Sequence, residues 1–273
     1  MNDYSKLEKT EEISKQLCIN YLKQKFQTEM DLTVGNKGLS YEHFKNNIHD
    51  YVLKPYVSNM IVYYSEPQFD KLTEDQKYRR IFSLYFGSIN IFKPSVAKFV
   101  CDKFQPFSVL DPFAGWGSRM LGCIASESVM KYTGIDINQN LRKGYYEIRE
   151  ELGIMNLTEI IFDDSLNIDY KHFTYDMVLT SPPYYNLELY RGTEKRSKEE
   201  WREFYKKIFT KIYENLQHGG WCCINVNKEI YDTVLFTLWG VAHEFIEYPK
   251  TSHRRKQLNN KEYIYCWKKI NTQ

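Results

Sequence analysis

The chain lacks several features that would have settled its class at once. It has no stretch approaching the ~18 uninterrupted apolar residues that a membrane span needs. Its first residues, Met1-Asn2-Asp3-Tyr4-Ser5-Lys6-Leu7-Glu8-Lys9, carry no apolar signal core. Charge of one sign is scarce: 37 Lys and Arg against 35 Asp and Glu leave a formal +2, so any nucleic-acid contact must come from local clusters. The six cysteines (Cys18, Cys101, Cys123, Cys222, Cys223, Cys266) form no C-x-x-C pair and no spacing typical of zinc ligands. Most sit among apolar neighbours and read as small core residues of a reduced, intracellular protein. No internal repeat is visible. Together these absences predict a soluble cytoplasmic protein with no membrane partner and no metal. Aromatic residues are plentiful, with 23 tyrosines. They suit stacking surfaces and AT-rich codon usage equally, so they decide nothing about function.

At 273 residues the length permits one large domain or two modest ones. Residues 1–88 read as mainly helical, with helices over about 5–26, 41–54 and 74–86, the last opened by a Thr73-x-x-Gln76 capping box. This region carries no catalytic spacing and is assigned to recognition or an interface. Its Lys71, Lys77, Arg79 and Arg80 fit a solvated helix face or a phosphate contact. Residues 89–273 alternate strand and helix. Strands are expected at Phe107–Leu110, Tyr132–Ile135, Thr158–Phe162, Met177–Thr180 and Trp221–Val226, and an antiparallel pair at His243–Tyr248 and Glu262–Lys268. Such alternation implies an α/β protein with a mostly parallel, Rossmann-like sheet and an antiparallel C-terminal hairpin. The helix from Ser197 has a capping box with Glu200 and a continuous apolar stripe from Trp201 to Leu216, with Gly219-Gly220 as its expected left-handed stop.

Two turns stand out. Asp111-Pro112-Phe113-Ala114-Gly115-Trp116-Gly117 joins the first strand to the next helix, and its glycines permit close backbone approach to a ligand. It is not the dinucleotide G-x-G-x-x-G pattern, because the third glycine is missing. Asp136 ends the second strand, where a carboxylate can accept from both hydroxyls of a ribose. Asp164 follows the third strand, within reach of an adenine amino group. Each aspartate alone would pass for a helix N-cap or turn residue. Three carboxylates at the carboxyl ends of three successive strands, beside a glycine loop, describe an adenosine pocket. The second turn is Thr180-Ser181-Pro182-Pro183-Tyr184-Tyr185. Two prolines end the strand, because neither donates a ladder hydrogen bond, and they leave carbonyls without partners. A proline pair alone marks no more than the end of a strand. Beside an adenosine pocket, it presents a hydroxyl, free carbonyls and an aromatic ring at the sheet edge where ligands bind.

The two motifs together resemble the amino-group DNA methyltransferases, which use S-adenosylmethionine to methylate exocyclic amines. The first resembles that family's cofactor loop, and Ser181-Pro182-Pro183-Tyr184 resembles its (D/N/S)-P-P-(Y/F/W) catalytic tetrapeptide. The resemblance spans roughly residues 90–268. The order of the motifs is similar to the γ class or to compact orphan enzymes of phages and large viruses, which would place the protein in a host cytoplasm. It implies a class I S-adenosylmethionine-dependent methyltransferase fold over residues 89–273, with DNA as partner. It also implies cofactor contacts from Lys93, Pro94, Asp111, Phe113, Gly115, Gly117, Asp136, Ile137 and Asp164. Ser181 Oγ and the Pro182 carbonyl would accept the amine hydrogens, and Tyr184 would stack on a base swung out of the helix. Serine at the first motif position favours N4 of cytosine, with N6 of adenine as the alternative. RNA or a protein amide as substrate, or a non-catalytic binding subunit, are the remaining readings. The Pro-Cys dipeptide of cytosine-C5 chemistry is absent. DNA contacts are expected from Arg191 in one loop and from Arg254, Arg255 and Lys256 in a basic connection.

Overall fold

A computed structural model describes residues 11–35, 37–87, 89–185, 195–248 and 262–270. The described chain divides into two compact units. One comprises residues up to 25, 91–185 and 196 onward; the other centres on residues 26–90. The expected division at residue 88 therefore falls close to one boundary, but the first helix does not respect it. The Glu11–Leu32 helix runs on past Lys25, where the first unit gives way to the second.

The larger unit is built on a seven-stranded sheet of order β3-β2-β1-β4-β5-β7-β6. Its strands are β1 (Ser108–Asp111), β2 (Lys131–Asp136), β3 (Thr158–Phe162), β4 (Met177–Thr180), β5 (Trp221–Val226), β6 (Glu244–Glu247) and β7 (Tyr263–Lys268). The first five are mutually parallel, and β7 runs antiparallel to both β5 and β6. This is the mostly parallel, Rossmann-like sheet with an antiparallel C-terminal pair that the alternation predicts. Every residue of β1 and β4 is buried, which is why both read as short continuous apolar runs. β6 alternates partly buried and exposed positions and leaves Glu244 and Glu247 along the outer edge, where charge discourages further strand pairing.

The helices follow local chemistry closely. Pro94 occupies the first turn of the Pro94–Phe104 helix, and Thr73 and Ser197 both close full capping boxes. The apolar stripe Trp201, Phe204, Tyr205, Ile208, Phe209 and Ile212 is buried against the sheet. The stop of that helix differs from expectation. Leu216 turns extended at φ −62°, ψ 138°, and Gly219, at φ 81°, shapes the later turn into β5. Lys269 Nζ instead satisfies the terminal carbonyls, donating to Tyr213 O at 2.9 Å, Glu214 O at 2.8 Å and Leu216 O at 2.7 Å. The Pro94–Phe104 helix packs so closely on the Ser118–Ile124 helix that a Cβ on Gly122 would stand 2.1 Å from the Pro94 carbonyl oxygen.

The smaller unit is helical, with a core of Tyr41, Phe44, Val57 and Ile81. The expected 41–54 helix is two short ones, Tyr41–Asn46 and Ile48–Tyr51, and a helix not foreseen begins at Pro55 and runs to Tyr64. Arg79 is no phosphate contact: it pairs with Asp31 and Asp75 and stacks over the Tyr41 ring at 4.1 Å. All six cysteines are buried and free. Among the described residues no helix is long and apolar enough to cross a membrane, and no three His, Cys, Asp or Glu side chains are grouped to hold a metal.

Candidate active site at the switch point of the sheet

β1 sits between β2 and β4, so the chain leaves β1 toward one side of the sheet and β4 toward the other. At such a switch point the two exit loops diverge and open a crevice beyond the strand ends. The glycine loop 112–117 and the Ser181-Pro182-Pro183-Tyr184 turn are these two loops. They share one buried anchor. Thr180 Oγ1 donates to Asp111 Oδ1 at 2.7 Å, across the β1–β4 seam. The Asp111 carboxylate also accepts from Arg119 Nε at 2.7 Å, Tyr132 OH at 2.8 Å and the Phe113 amide at 3.2 Å.

Asp111 is wholly buried, so this expected cofactor contact is corrected. Its carboxylate is occupied by protein donors and holds the loop from beneath. Arg119 completes the anchor. It is buried too, donates to the Phe113 carbonyl as well, and lies 5.2 Å from the Phe92 ring. Asp111 beside it keeps its guanidinium firmly protonated, although burial acts in the opposite direction. Gly117 is likewise buried. Its φ of 72° demands glycine, and an added Cβ would stand 3.3 Å from the Tyr145 ring and 3.6 Å from Leu22. It is a packing position rather than a ligand-lining one. Leu22 reaches it from the first helix, which Lys25 ties to Glu147 at 3.3 Å and Tyr21 ties to Glu151 at 2.7 Å. Residues 11–25 thus belong to the candidate catalytic unit, which the sequence did not indicate.

Phe113, Gly115, Asp136, Ile137 and Asp164 remain at least partly open. Asp136 Oδ2 accepts from the Gly115 amide at 2.7 Å and its Oδ1 from the Asn138 amide at 2.9 Å. Each oxygen keeps a second lone pair. Burial pushes this carboxyl up to about 6, against the pull of the two amides. Ile137, next in sequence, is 37% exposed despite its apolar side chain. Asp164 Oδ1 accepts from the Leu166 amide at 2.9 Å in a tight turn after β3. Pro94 is buried as the first residue of its helix, and the Lys93 amide donates to Tyr248 OH at 2.8 Å. Pro94 therefore also supports the site from below.

The second loop is pinned from two directions. Tyr205, on the Lys198–Asn215 helix, donates its hydroxyl to the Pro183 carbonyl and accepts from the Tyr185 amide at 3.1 Å. This holds Tyr185 at φ 52°, a region that non-glycine residues rarely occupy without compensation. From the other direction Asn225, buried in β5, faces the motif. Ser181 Oγ donates to Asn225 Oδ1 at 3.2 Å, and Tyr184 OH lies 2.9 Å from both Asn225 Oδ1 and Glu262 Oε1. Burial and the nearby Glu262 charge raise the Tyr184 phenol well above its ordinary range, so it stays a neutral donor. Its ring is half-buried. The Pro182 carbonyl accepts no hydrogen bond among the described residues. The only sequence signal for Asn225 is a lone polar residue inside the apolar run Cys222-Cys223-Ile224-Asn225-Val226. Glu262 gives none. Arg191, Arg254, Arg255 and Lys256 lie outside the described residues.

No family model and no curated protein matches the chain. Solved structures similar to it include an rRNA methylase from Streptococcus thermophilus, at 17% identity and a TM-score of 0.46, covering 67% of this chain and all of that one (100%). Another is TrmN from Thermus thermophilus, at 16% identity and a TM-score of 0.46, covering 73% of this chain and 55% of that one. Likeness at this level carries no substrate, ligand or partner over to this chain.

Proposed function

We propose that the protein is an S-adenosylmethionine-dependent methyltransferase acting on an exocyclic amine of a DNA base, with N4 of cytosine favoured. The observation that carries this reading is the juxtaposition at the switch point. Two acceptors, Ser181 Oγ and a Pro182 carbonyl that takes no hydrogen bond among the described residues, stand on a loop tied through Thr180 and Asp111 to the loop that Asp136 holds.

The open residues fit the cofactor. Asp136 offers lone pairs for a pair of ribose hydroxyls, Ile137 an apolar face for an adenine ring, and Asp164 a carboxylate for its amino group. Phe113 and Gly115 edge the remaining space toward the motif. When bound, the cofactor supplies a sulfonium methyl group: the amine lone pair forms the new N–C bond as the C–S bond breaks, its electron pair going to sulfur.

The chain's own residues prepare the amine. An exocyclic amine of a base is a poor nucleophile because its lone pair is delocalised into the ring. Hydrogen bonds from both its hydrogens to Ser181 Oγ and Pro182 O favour a pyramidal nitrogen with the lone pair directed at the methyl group. Tyr184, fixed at its hydroxyl, offers a ring against which an extruded base can lie. Positioning and electrostatics then govern the rate, with no covalent enzyme intermediate. Ser181 is a weak base, so the surplus proton leaves to solvent.

The test is transfer of labelled methyl from S-adenosylmethionine to unmodified single- and double-stranded DNA and to RNA, with mass spectrometry of the released nucleosides. The expected product is N4-methyl-2′-deoxycytidine from DNA, lost in Ser181→Ala with cofactor affinity within about twofold. Label in N6-methyladenine would move the base, and label only in RNA the polymer. No transfer to any polynucleotide, with normal cofactor binding, would end the reading.

A further inference from the structure

We infer that Asn225 is a positioning residue that fixes the direction of the Ser181 hydroxyl proton, and that it thereby makes the site selective for an amine over a carbonyl. The inference rests on the methyltransferase reading above and concerns what the same site accepts.

A serine hydroxyl is ambidextrous. It can donate to a carbonyl or accept from an amine, and by itself discriminates poorly between them. Here its proton has inward partners, Asn225 Oδ1 at 3.2 Å and the Tyr184 hydroxyl. Asn225 is almost fully buried, and its amide orientation is set by its surroundings. Nδ2 donates to the Tyr263 carbonyl at 3.1 Å on the neighbouring strand β7. Turning the amide over would set oxygen against that carbonyl. Oδ1 therefore faces the motif, where it can only accept. Ser181 Oγ at 3.2 Å and Tyr184 OH at 2.9 Å both approach it, and the Tyr184 hydroxyl also reaches Glu262 Oε1 at 2.9 Å and the Asn225 main-chain carbonyl at 3.2 Å. With the Ser181 proton directed inward, the outward side of Oγ carries lone pairs alone. The neighbouring Pro182 O, which takes no hydrogen bond among the described residues, is also an acceptor. A base edge presented to this pair is held when it brings two N–H donors. It is repelled when it brings a carbonyl oxygen, because no donor remains to meet it. Cytosine and adenine carry such an amine; uracil and hypoxanthine carry oxygen at the same ring position.

Removing Asn225 would free the Ser181 hydroxyl to turn outward and donate. The experiment uses the full chain loaded with S-adenosylhomocysteine and measures binding of fluorescent oligo-dC and oligo-dU by anisotropy, with oligo-dA and oligo-dI if adenine proves to be the target. Wild type is expected to prefer the amine-bearing strand by about tenfold or more, the scale of one unpaired buried polar group. Asn225→Ala should bring the ratio close to one while cofactor affinity holds within about twofold. In a Ser181→Ala background, Asn225→Ala should change the ratio no further, because the hydroxyl it directs is gone. An undiminished preference in Asn225→Ala, or an equal further loss in the Ser181→Ala background, overturns the inference. Wild type that methylates cytosine yet binds both strands alike overturns it too, leaving the methyltransferase reading intact. Wild type that transfers no methyl to any polynucleotide ends both.

Discussion

Arg119→Met tests whether the buried anchor beneath the two loops works as an ion pair. The substitution keeps an unbranched apolar stem of similar length and removes the guanidinium. What it leaves behind is a fully buried Asp111 carboxylate with three of its donors, Tyr132 OH, Thr180 Oγ1 and the Phe113 amide. Breaking a buried pair by removing one partner costs about 3–5 kcal/mol. The three surviving donors place the expected loss near the lower figure, about 3 kcal/mol. For a folded unit of this size that lowers the melting temperature by about 6–12 °C. The assay is convenient because Trp116, Trp201, Trp221, Trp239 and Trp267 all lie in the sheet-containing unit. Tryptophan fluorescence then reports that unit's unfolding. Combining Arg119→Met with Asp111→Asn removes the unpaired charge and keeps an acceptor for Thr180, so the double variant should recover at least half of the lost stability. A single-variant shift under about 2 °C, or a double variant that is simply additive, would refute the ion-pair account. The anchor would then be an ordinary polar network.

Two further outcomes follow from the packing and the charge state of the site. Gly122→Ala should destabilise the sheet-containing unit by about 3 kcal/mol or more by the same fluorescence measurement, although alanine is the better helix former by about 1 kcal/mol. Its Cβ would meet the Pro94 carbonyl at 2.1 Å and Ala97 at 2.7 Å, and wild-type stability would show that the two helices can part cheaply. Cofactor affinity, measured by calorimetry, should fall by up to tenfold per pH unit below about 6, where the Asp136 carboxylate takes up a proton and loses its capacity to accept from ribose. The unliganded fold responds with the opposite sign. Between the ordinary carboxylate value and about 6 the folded chain binds the extra proton, so this group's contribution to stability declines as pH rises through that window. A flat affinity from pH 5 to 8 would remove Asp136 from the contact.

The strands β3, β4 and β5 were legible to the residue because each is a short apolar run cut off by a charge, a proline pair or a polar turn. The Pro55–Tyr64 helix was not, because Pro55 follows an apolar stretch and reads as a break; the same residue type at Pro94 was read correctly as a first helical turn. The motifs marked two loops that the structure brings together at the switch point, but they could not distinguish partly exposed residues from buried ones that support them. Asp136 and Asp111 each end a strand, yet one keeps lone pairs toward the crevice and the other is saturated by Arg119, Tyr132 and Thr180. That difference is decided by the partners, and Arg119 lies in a helix eight positions further along the chain. Asn225 and Glu262 were missed for a related reason. Asn225 meets Ser181 through the pairing of β4 with β5, and Glu262 meets Tyr184 through that of β5 with β7, contacts that no local pattern encodes.

That pairing sets an order of events during synthesis. β7 leaves the ribosome after the other six strands of this sheet, yet it takes an interior place between β5 and β6. Until it arrives, β5 presents an open edge, Asn225 lacks the Tyr263 carbonyl that orients its amide, and Tyr184 lacks Glu262. A nascent chain can therefore assemble the parallel strands while the contacts of Asn225 and Tyr184 with β7 are still unmade. Those contacts arrive with β7, when the exposed edge of β5 is sealed.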